Sequence, residues 1–419
     1  MTILVQQVLI KDINSPHNNT IRDILIHKGK IQQIAENISA LADRTIEACN
    51  LSASPGWVDI FVSGTDPGFE FRDDLDSLSA AAAKGGFTHV FLTPNTQPVT
   101  QNKTGVEYIS RHHASAPVKL HPIGAISKNT EGKELTEIYD MHQSGAVAFS
   151  DGNKPVQSAG LLIKALQYVT AFKGTIIQVP DDKSIAPHGL MNESVVSTQV
   201  GLPGKPALAE EIMVARDIAL AKYTGAHLHL TGISLASSVS MINKAKTDGI
   251  PVTASTTTHH LTFTEKDLLR GYNTNLKVNP PLRSEVDRQA LLAAVKDGTI
   301  DIVTTHHTPQ HTDAKICEFE YAGYGMLGLE AAFGVLQNAG LSVDEILQVI
   351  CYNPRKIFNL NGSINEGESA DLTFFKPDET VNFTADNLGS KSKNCPYIGL
   401  KINGQAIAVI LNSTTNFNP

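Results

Sequence analysis

From Pro55 to about residue 365, short apolar runs alternate with helix-forming stretches, and few architectures accept that order for so long. HVFLTPN follows the helical LDSLSAAAAKGG, and VKLHPIGAI, GAVAFSD, GTIIQVPDD, AHLHLTGIS, IPVTASTT and IDIVTTHHT come after it. Helix candidates such as ALAEEIMVARDIALAKYTG and SEVDRQALLAAVKDG separate them. Repeated strand-then-helix units lay parallel strands side by side under a coat of helices, so the pattern predicts an α/β fold, a (β/α)8 TIM barrel. The two ends of the chain have a different texture. ILVQQVLI and IRDILIHKGKIQQIA are broken by the polar SPHNN, with Gly29 in a hairpin turn, and strands resume in ADLTFFKP and KINGQAIAVILN. Residues 1–54 and 366–419 are therefore expected to form one small discontinuous β-sandwich domain, with the barrel spanning residues 55–365.

Composition excludes several function classes. A net charge of -8 argues against a nucleic-acid partner, which would want a basic stripe. Cys49, Cys317, Cys351 and Cys395 form no CxxC pair, which points to free thiols in a reducing compartment. No apolar run approaches the ~20 residues that cross a bilayer. The opening MTILVQQVLI lacks the basic segment and small-residue cleavage site of a signal peptide. A cytoplasmic protein with no membrane contact is expected.

The stretch that carries chemistry, or its loss, is PGWVDIFVSGTDPG, Pro55–Gly68. It resembles the first barrel strand of the dihydroorotases, in the amidohydrolase superfamily, which reads D-[LIF]-H-x-H-x-R-[ED]-P-G. The resemblance extends to AAAKGGFTHVFLTPNTQPV, GAVAFSDGNKPV, TTTHHLTFTEKDL, NLKVNPPLRSEVDRQALL and SKSKNCPYIGLKINGQ, nearly the whole chain, and is to the long type found in multifunctional complexes. It implies an amidohydrolase barrel with one or two divalent metals at its mouth. Metal-bound water of pKa about 7 would attack an amide carbon, and a carboxylate would carry the proton to the leaving nitrogen.

Residue by residue, that chemistry is depleted. The paired first-strand histidines are Phe61 and Ser63, and the substrate-gripping Arg is Thr65. Asp151 and His229 match metal-ligand positions. The histidine that opens His-Cys-Glu-Asp in the family is read as Gln178, and the proton-shuttling aspartate of T-D-H-x-P-H is His306, followed by His307 and, in the last slot, Gln310. Asn95 and Asn279 survive from the substrate shell, giving a pocket set of Asn95, Asn279, Thr65 and His307.

The resemblance therefore implies a chain with no catalytic residue and no cofactor. It would serve pyrimidine biosynthesis as a structural or regulatory partner of aspartate transcarbamoylase, and form a homo-oligomer. The alternative is a cyclic amidohydrolase, a dihydroorotase or ureide hydrolase, with a reduced zinc site at Asp151, His229 and His306. A third reading makes the vacated mouth a ligand sensor with Phe61 projecting into it. His259 and His260 are expected to pack and bond loops, His227 to point between sheet and helices, Trp57 to be core near the domain junction, and Lys154, Lys183 and Lys205 to be solvated.

Overall fold

The computed structural model describes residues 1–47, 50–112, 116, 118–412 and 414–417, so Cys49 lies outside the described residues. Short strands open the chain: β1 Thr2–Ile10, β2 Ile21–His27, β3 Lys30–Ala35, β4 Arg44–Glu47 and β5 Ser52–Pro55. Lys28 and Gly29, at φ 49° and 76°, make the tight turn between β2 and β3. Two left-handed residues in a row match the twist of a two-residue hairpin, and Gly29 carries the second at no steric cost.

The barrel strands follow: β6 Trp57–Val62, β7 Phe87–Leu92, β8 Lys119–Gly124, β9 Ala148–Phe149 and β10 Ile176–Gln178. A two-stranded ribbon of β11 Met191–Asn192 and β12 Gly204–Lys205 stands beside the mouth. β13 Leu228–Leu230, β14 Val252–Thr257 and β15 Ile302–Thr304 complete the sheet, and every neighbouring pair from β6 to β15 along it is parallel. Helices cross between them, and side-chain caps fix where they begin. Asp74, Ser158 and Ser284 accept backbone N–H bonds at the starts of Leu75–Lys84, Ala159–Thr170 and Glu285–Asp297. Period-two alternation sorts the strand residues. Val90, Leu120, Ile176, Leu228, Leu230 and Val303 join the large core beneath the helices, whereas Phe91, Ile123, Ile177, Val179 and Ile302 share the lumen cluster.

One carboxylate draws β15 to β6. Asp59, wholly buried, accepts the Phe61 and Thr305 amides at 3.1 and 2.8 Å and the Thr304 hydroxyl. The Ser63 amide adds a bond to the His307 carbonyl at 2.9 Å.

The chain ends contribute β16 Asp371–Asn382, β17 Lys401–Leu411 and β18 Thr414–Phe417. They join the opening strands in one sheet of order β18-β17-β16-β5-β1-β2-β3, with β4 against β1. Its core is a separate cluster that includes Ile3, Val5, Ile24, Ile31, Leu372 and Ile410. At the junction with the barrel Trp57 is fully buried and stacks on Phe333, with ring centroids 5.1 Å apart. Its indole N–H donates to Ser54 Oγ at 3.0 Å. Beside it Arg355 donates from Nε and Nη2 to the Gly56 carbonyl at 2.9 and 2.7 Å and pairs with Asp371. His89 Nε2 meets the same carboxylate at 2.9 Å, and its Nδ1 meets His121 Nε2 at 2.8 Å. Burial works to raise the Asp371 pKa, but the Arg355 guanidinium, with the hydrogen bond from His89, outweighs it and holds the carboxylate down.

This buried ion pair yields a test. Arg355→Leu leaves the buried Asp371 without its guanidinium partner and should cost about 3–5 kcal/mol in urea unfolding, whereas Arg355→Leu with Asp371→Leu should recover much of that loss. A loss below about 1 kcal/mol in the single variant would show that the pair does not hold the two sheets together.

Candidate functional site

The lumen of the barrel is polar along β13 and β14, because alternation aims His229, Thr253 and Ser255 inward. These groups form one hydrogen-bonded chain. Thr175 Oγ1 meets His227 Nδ1 at 2.9 Å, and His227 Nε2 meets Thr253 Oγ1 at 3.0 Å. Thr253 Oγ1 meets His229 Nδ1, and His229 Nε2 meets Ser255 Oγ, both at 2.9 Å. Ser255 donates to Thr231 Oγ1 at 2.8 Å, and Thr231 Oγ1 meets His306 Nε2 at 2.8 Å. Since the single Ser255 proton goes to Thr231, Ser255 accepts from His229 Nε2–H, and His229 Nδ1 accepts from Thr253. Thr231 then donates to His306 Nε2, so His306 is neutral and carries its proton on Nδ1, and His227, whose pKa burial lowers, donates from Nε2 to Thr253 and accepts at Nδ1. Every member between the ends then donates once and accepts once.

Burial enforces this neutrality. It depresses the His229 pKa well below the usual range, with His227, Lys246 and His306 adding to the effect. Burial, helped by His260, lowers His306 to about 3.

At the C-terminal ends of the strands the Phe61 ring lies 4.6 Å from the His306 ring, centroid to centroid. His306 itself holds a left-handed φ of 46°. Asp151, after β9, accepts from the Ser127 amide at 2.9 Å and from its hydroxyl. Burial pushes its pKa up to about 6. Asn95 is committed to the next turn, donating to the Asp151 carbonyl and accepting from the Asn153 amide, each at 3.0 Å. Thr65 donates to the Asp73 carbonyl at 2.6 Å. His307 Nδ1 accepts from the Gly328 and Leu329 amides at 3.2 and 3.3 Å.

Beside these groups lies a cavity of about 220 Å³. His306 and Asn279 line it together with Val179, His259, Tyr324, Lys183 and Lys205, whereas Asn95, Thr65, Ser63 and His307 do not. Asn279 donates to Asp181 at 3.0 Å and accepts from Lys205 Nζ at 2.9 Å. Lys205 Nζ and Lys183 Nζ reach the two oxygens of Asp181 at 2.5 and 2.7 Å. Burial alone would raise Asp181, but the two ammonium groups hold it down at about 2.

The sequence compares closely with known proteins. A Dihydro-orotase-like family model matches residues 52–238, and an Amidohydrolase family model matches residues 188–415. A dihydroorotase of Ruminiclostridium cellulolyticum is 40% identical over 421 residues, covering 99% of this chain and 98% of that protein. The chain belongs to the dihydroorotase family of amidohydrolases. A dihydroorotase of Syntrophus aciditrophicus is also 40% identical, over 93% of each chain. Among solved structures, an L-hydantoinase (dihydropyrimidinase) from Arthrobacter aurescens superposes with a TM-score of 0.85 at 25% identity, covering 99% of this chain and 95% of that one. A D-hydantoinase from Thermus sp. has a TM-score of 0.84 at 19% identity, covering 99% and 96%, and shares the fold.

The donor set present here does not fit the metal centre that this family's fold implies. Among the described residues no group of three or more His, Cys, Asp or Glu side chains is placed to hold an ion. The reason is local. Both nitrogens of His229 are bonded to hydroxyls, Asp151 is turned onto Ser127, and an aromatic ring stands at residue 61.

Three expectations need correction. Gln178 does not face the mouth. Its amide bonds the backbone of Val156 on the helix side at 3.3 and 3.4 Å, and Val179, one residue on, lines the cavity. His227 does not point away from the lumen: residues two apart on a strand share a face, and Thr253 Oγ1 bonds both His227 and His229. Lys205 is not solvated but only 8% exposed, held by Asp181. The sequence carries little signal for it, since the ribbon that folds Lys205 inward is two residues long on each side. His260, as expected, bonds locally, to Thr257 Oγ1 at 2.7 Å and the Pro281 carbonyl at 3.2 Å.

The neutral lumen predicts acid sensitivity. In the unfolded chain His306 takes up a proton near pH 6.5, while in the fold it resists until about pH 3. Its contribution is therefore complete above pH 6.5 and is lost as pH falls toward 3. Between pH 7 and 5 the wild type should lose about 2 kcal/mol more unfolding free energy than His306→Gln. Equal losses, measured by urea denaturation at the two pH values, would show that His306 titrates normally.

Proposed function

We propose that this chain is a dihydroorotase-family protein that no longer hydrolyses amides and acts through its folded body as a structural or regulatory partner of aspartate transcarbamoylase. The observation that carries the reading is the state of the donors at the mouth. Phe61 lies against His306, and His229 spends both nitrogens on Thr253 and Ser255. A phenyl ring cannot ligate zinc, and an imidazole bonded at both nitrogens must break a buried hydrogen bond before it can. Without a metal, water keeps a pKa near 15.7 and is a poor nucleophile at neutral pH. His306, held neutral by burial and at the slot of the family's shuttle carboxylate, cannot replace that acid–base group by charge. The intact capping and the two well-packed cores support a chain whose body is still in use. The choice of partner, a role in pyrimidine synthesis and self-association rest on the family resemblance.

A second reading, a cyclic amidohydrolase of dihydroorotase type, is favoured by the comparisons more directly than the first. Its support is 40% identity over nearly full length to proteins that bear the dihydroorotase name. It requires Asp151, His229 and His306 to leave their present partners and converge on one ion.

Metal analysis and turnover separate the two. Purified with zinc in the medium, the protein should hold well under one zinc per chain, and should turn over dihydroorotate no faster than its buffer blank. It should also co-purify with aspartate transcarbamoylase and raise that enzyme's activity or thermal stability. Near-stoichiometric zinc with turnover that His229→Gln abolishes would establish the second reading.

A further inference from the structure

The 17-residue helix Leu208–Thr224 on the outside of the barrel carries its polarity the wrong way round for a helix that faces solvent. Its inner face buries two carboxylates, Glu210 and Asp217, beside Ala209, Met213, Val214 and Ala221. Both are committed inside the protein. Glu210 accepts from the Ser234 amide at 3.0 Å and from the Ser234 hydroxyl, and Asp217 accepts from Arg216 Nε at 2.7 Å. The outer face is apolar instead. Leu208, Ile212, Ala215, Ala219 and Tyr223 recur at steps of four, three, four and four residues, which makes one stripe along a 3.6-residue helix. Leu208, Ile212 and Tyr223 are 49%, 42% and 73% exposed, and Ala215 and Ala219 are exposed between them. A helix apolar on both faces belongs where both are covered, and an apolar stripe rimmed by charge marks a protein–protein contact.

The order of residues along the stripe selects what covers it. Ala215 and Ala219 lie two residues on either side of Asp217. Ile212 and Tyr223 are eleven residues apart, and so are Glu211 and Lys222. Eleven residues make close to three full turns, so each pair shares one flank of the stripe and straddles the level of Asp217. We propose that this helix is the seat of a homodimer, packed antiparallel on its own copy about a two-fold axis at that level. Ala215 then meets Ala219 of the partner subunit, Ile212 meets Tyr223 of the partner subunit, and Glu211 meets Lys222 of the partner subunit. The symmetry makes each contact twice. Small side chains at the crossing let the helix axes approach to the ~8–10 Å of packed helices. The charges choose the direction, since a parallel pair would set Glu211 on Glu211 and Lys222 on Lys222. Helices Ala159–Thr170 and Ala236–Thr247 pack on the two sides of this one. Their outer faces widen the contact toward the roughly 1,200–2,000 Å² that specific interfaces bury. The inference goes beyond the proposed function, because it holds whether or not the barrel mouth turns over an amide.

Sedimentation velocity of the full chain tests the proposal. At micromolar concentration the particle should hold two chains. Ala219→Glu sets a carboxylate at the crossing and should weaken the dimer at least about a hundredfold, with the far-ultraviolet circular dichroism of the folded chain unchanged. Glu211→Lys and Lys222→Glu should each weaken it about tenfold, and the two together should restore it to within about threefold of the wild type. The charge series changes side chains at the rim of the stripe, so it decides the matter even if Ala219→Glu fails to fold. A wild-type monomer at micromolar concentration, a dimer that Ala219→Glu leaves intact, or a double charge swap as weak as the single variants would each overturn the proposal. Turnover measured on the same samples bears on the amide-hydrolysis reading alone.

Discussion

A buried barrel interior imposes one rule on every polar group that faces it: each donor and acceptor must find a partner. Along β13 and β14 the rule is met by a single run of hydroxyls and imidazoles from Thr175 to His306. The run is consistent only if its histidines are neutral and each hydroxyl points the same way along it. Hydrogen bonds aligned in this manner polarise one another, so the chain strengthens as a unit. It also fixes what the mouth can do. His229, the best surviving candidate for a metal ligand, has no nitrogen to spare, and His306 is locked with one nitrogen on Thr231.

The same economy appears where the barrel closes. Asp59 ties β15 to β6 through two amides and the Thr304 hydroxyl, and it sits two residues before Phe61 on the same strand. Burial raises its pKa, against the pull of its hydrogen bonds. At the opposite end Arg355, Asp371, His89 and His121 fasten the barrel to the sheet built from both ends of the chain. The frame is anchored at both ends by buried carboxylates, and neither depends on a metal.

Much of the architecture was legible in the sequence. Alternation of strand and helix over residues 55–365 announces the barrel because each strand must be buried on both faces and each helix on one. The position of Trp57 at the start of the first barrel strand predicts core near the junction, and it stacks there on Phe333. Side-chain direction was harder to read. A one-residue slip at the end of β10 exchanges Gln178 for Val179, because neighbours on a strand face opposite sides. The motif there, QVPDD, holds two adjacent aspartates and can be set against the family string in two registers, so spacing alone could not choose. The burial of Lys205 is hidden from the sequence for a different reason. Its burial depends on Asp181 and Asn279, far away in the chain, and no local pattern reports such a pairing.

The central claim is that the donors a metal would need are consumed inside the lumen. Nitrogen-15 NMR of histidine-labelled protein reads this directly, since the ring shifts distinguish protonated, unprotonated and metal-bound nitrogens. The His229 signals would be assigned by their loss in His229→Gln among the 15 histidines of the chain. The account predicts a neutral ring for His229, protonated at Nε2 and unprotonated at Nδ1, that does not change when zinc is added in equimolar amount. A metal-bound shift at either nitrogen of His229 would contradict it.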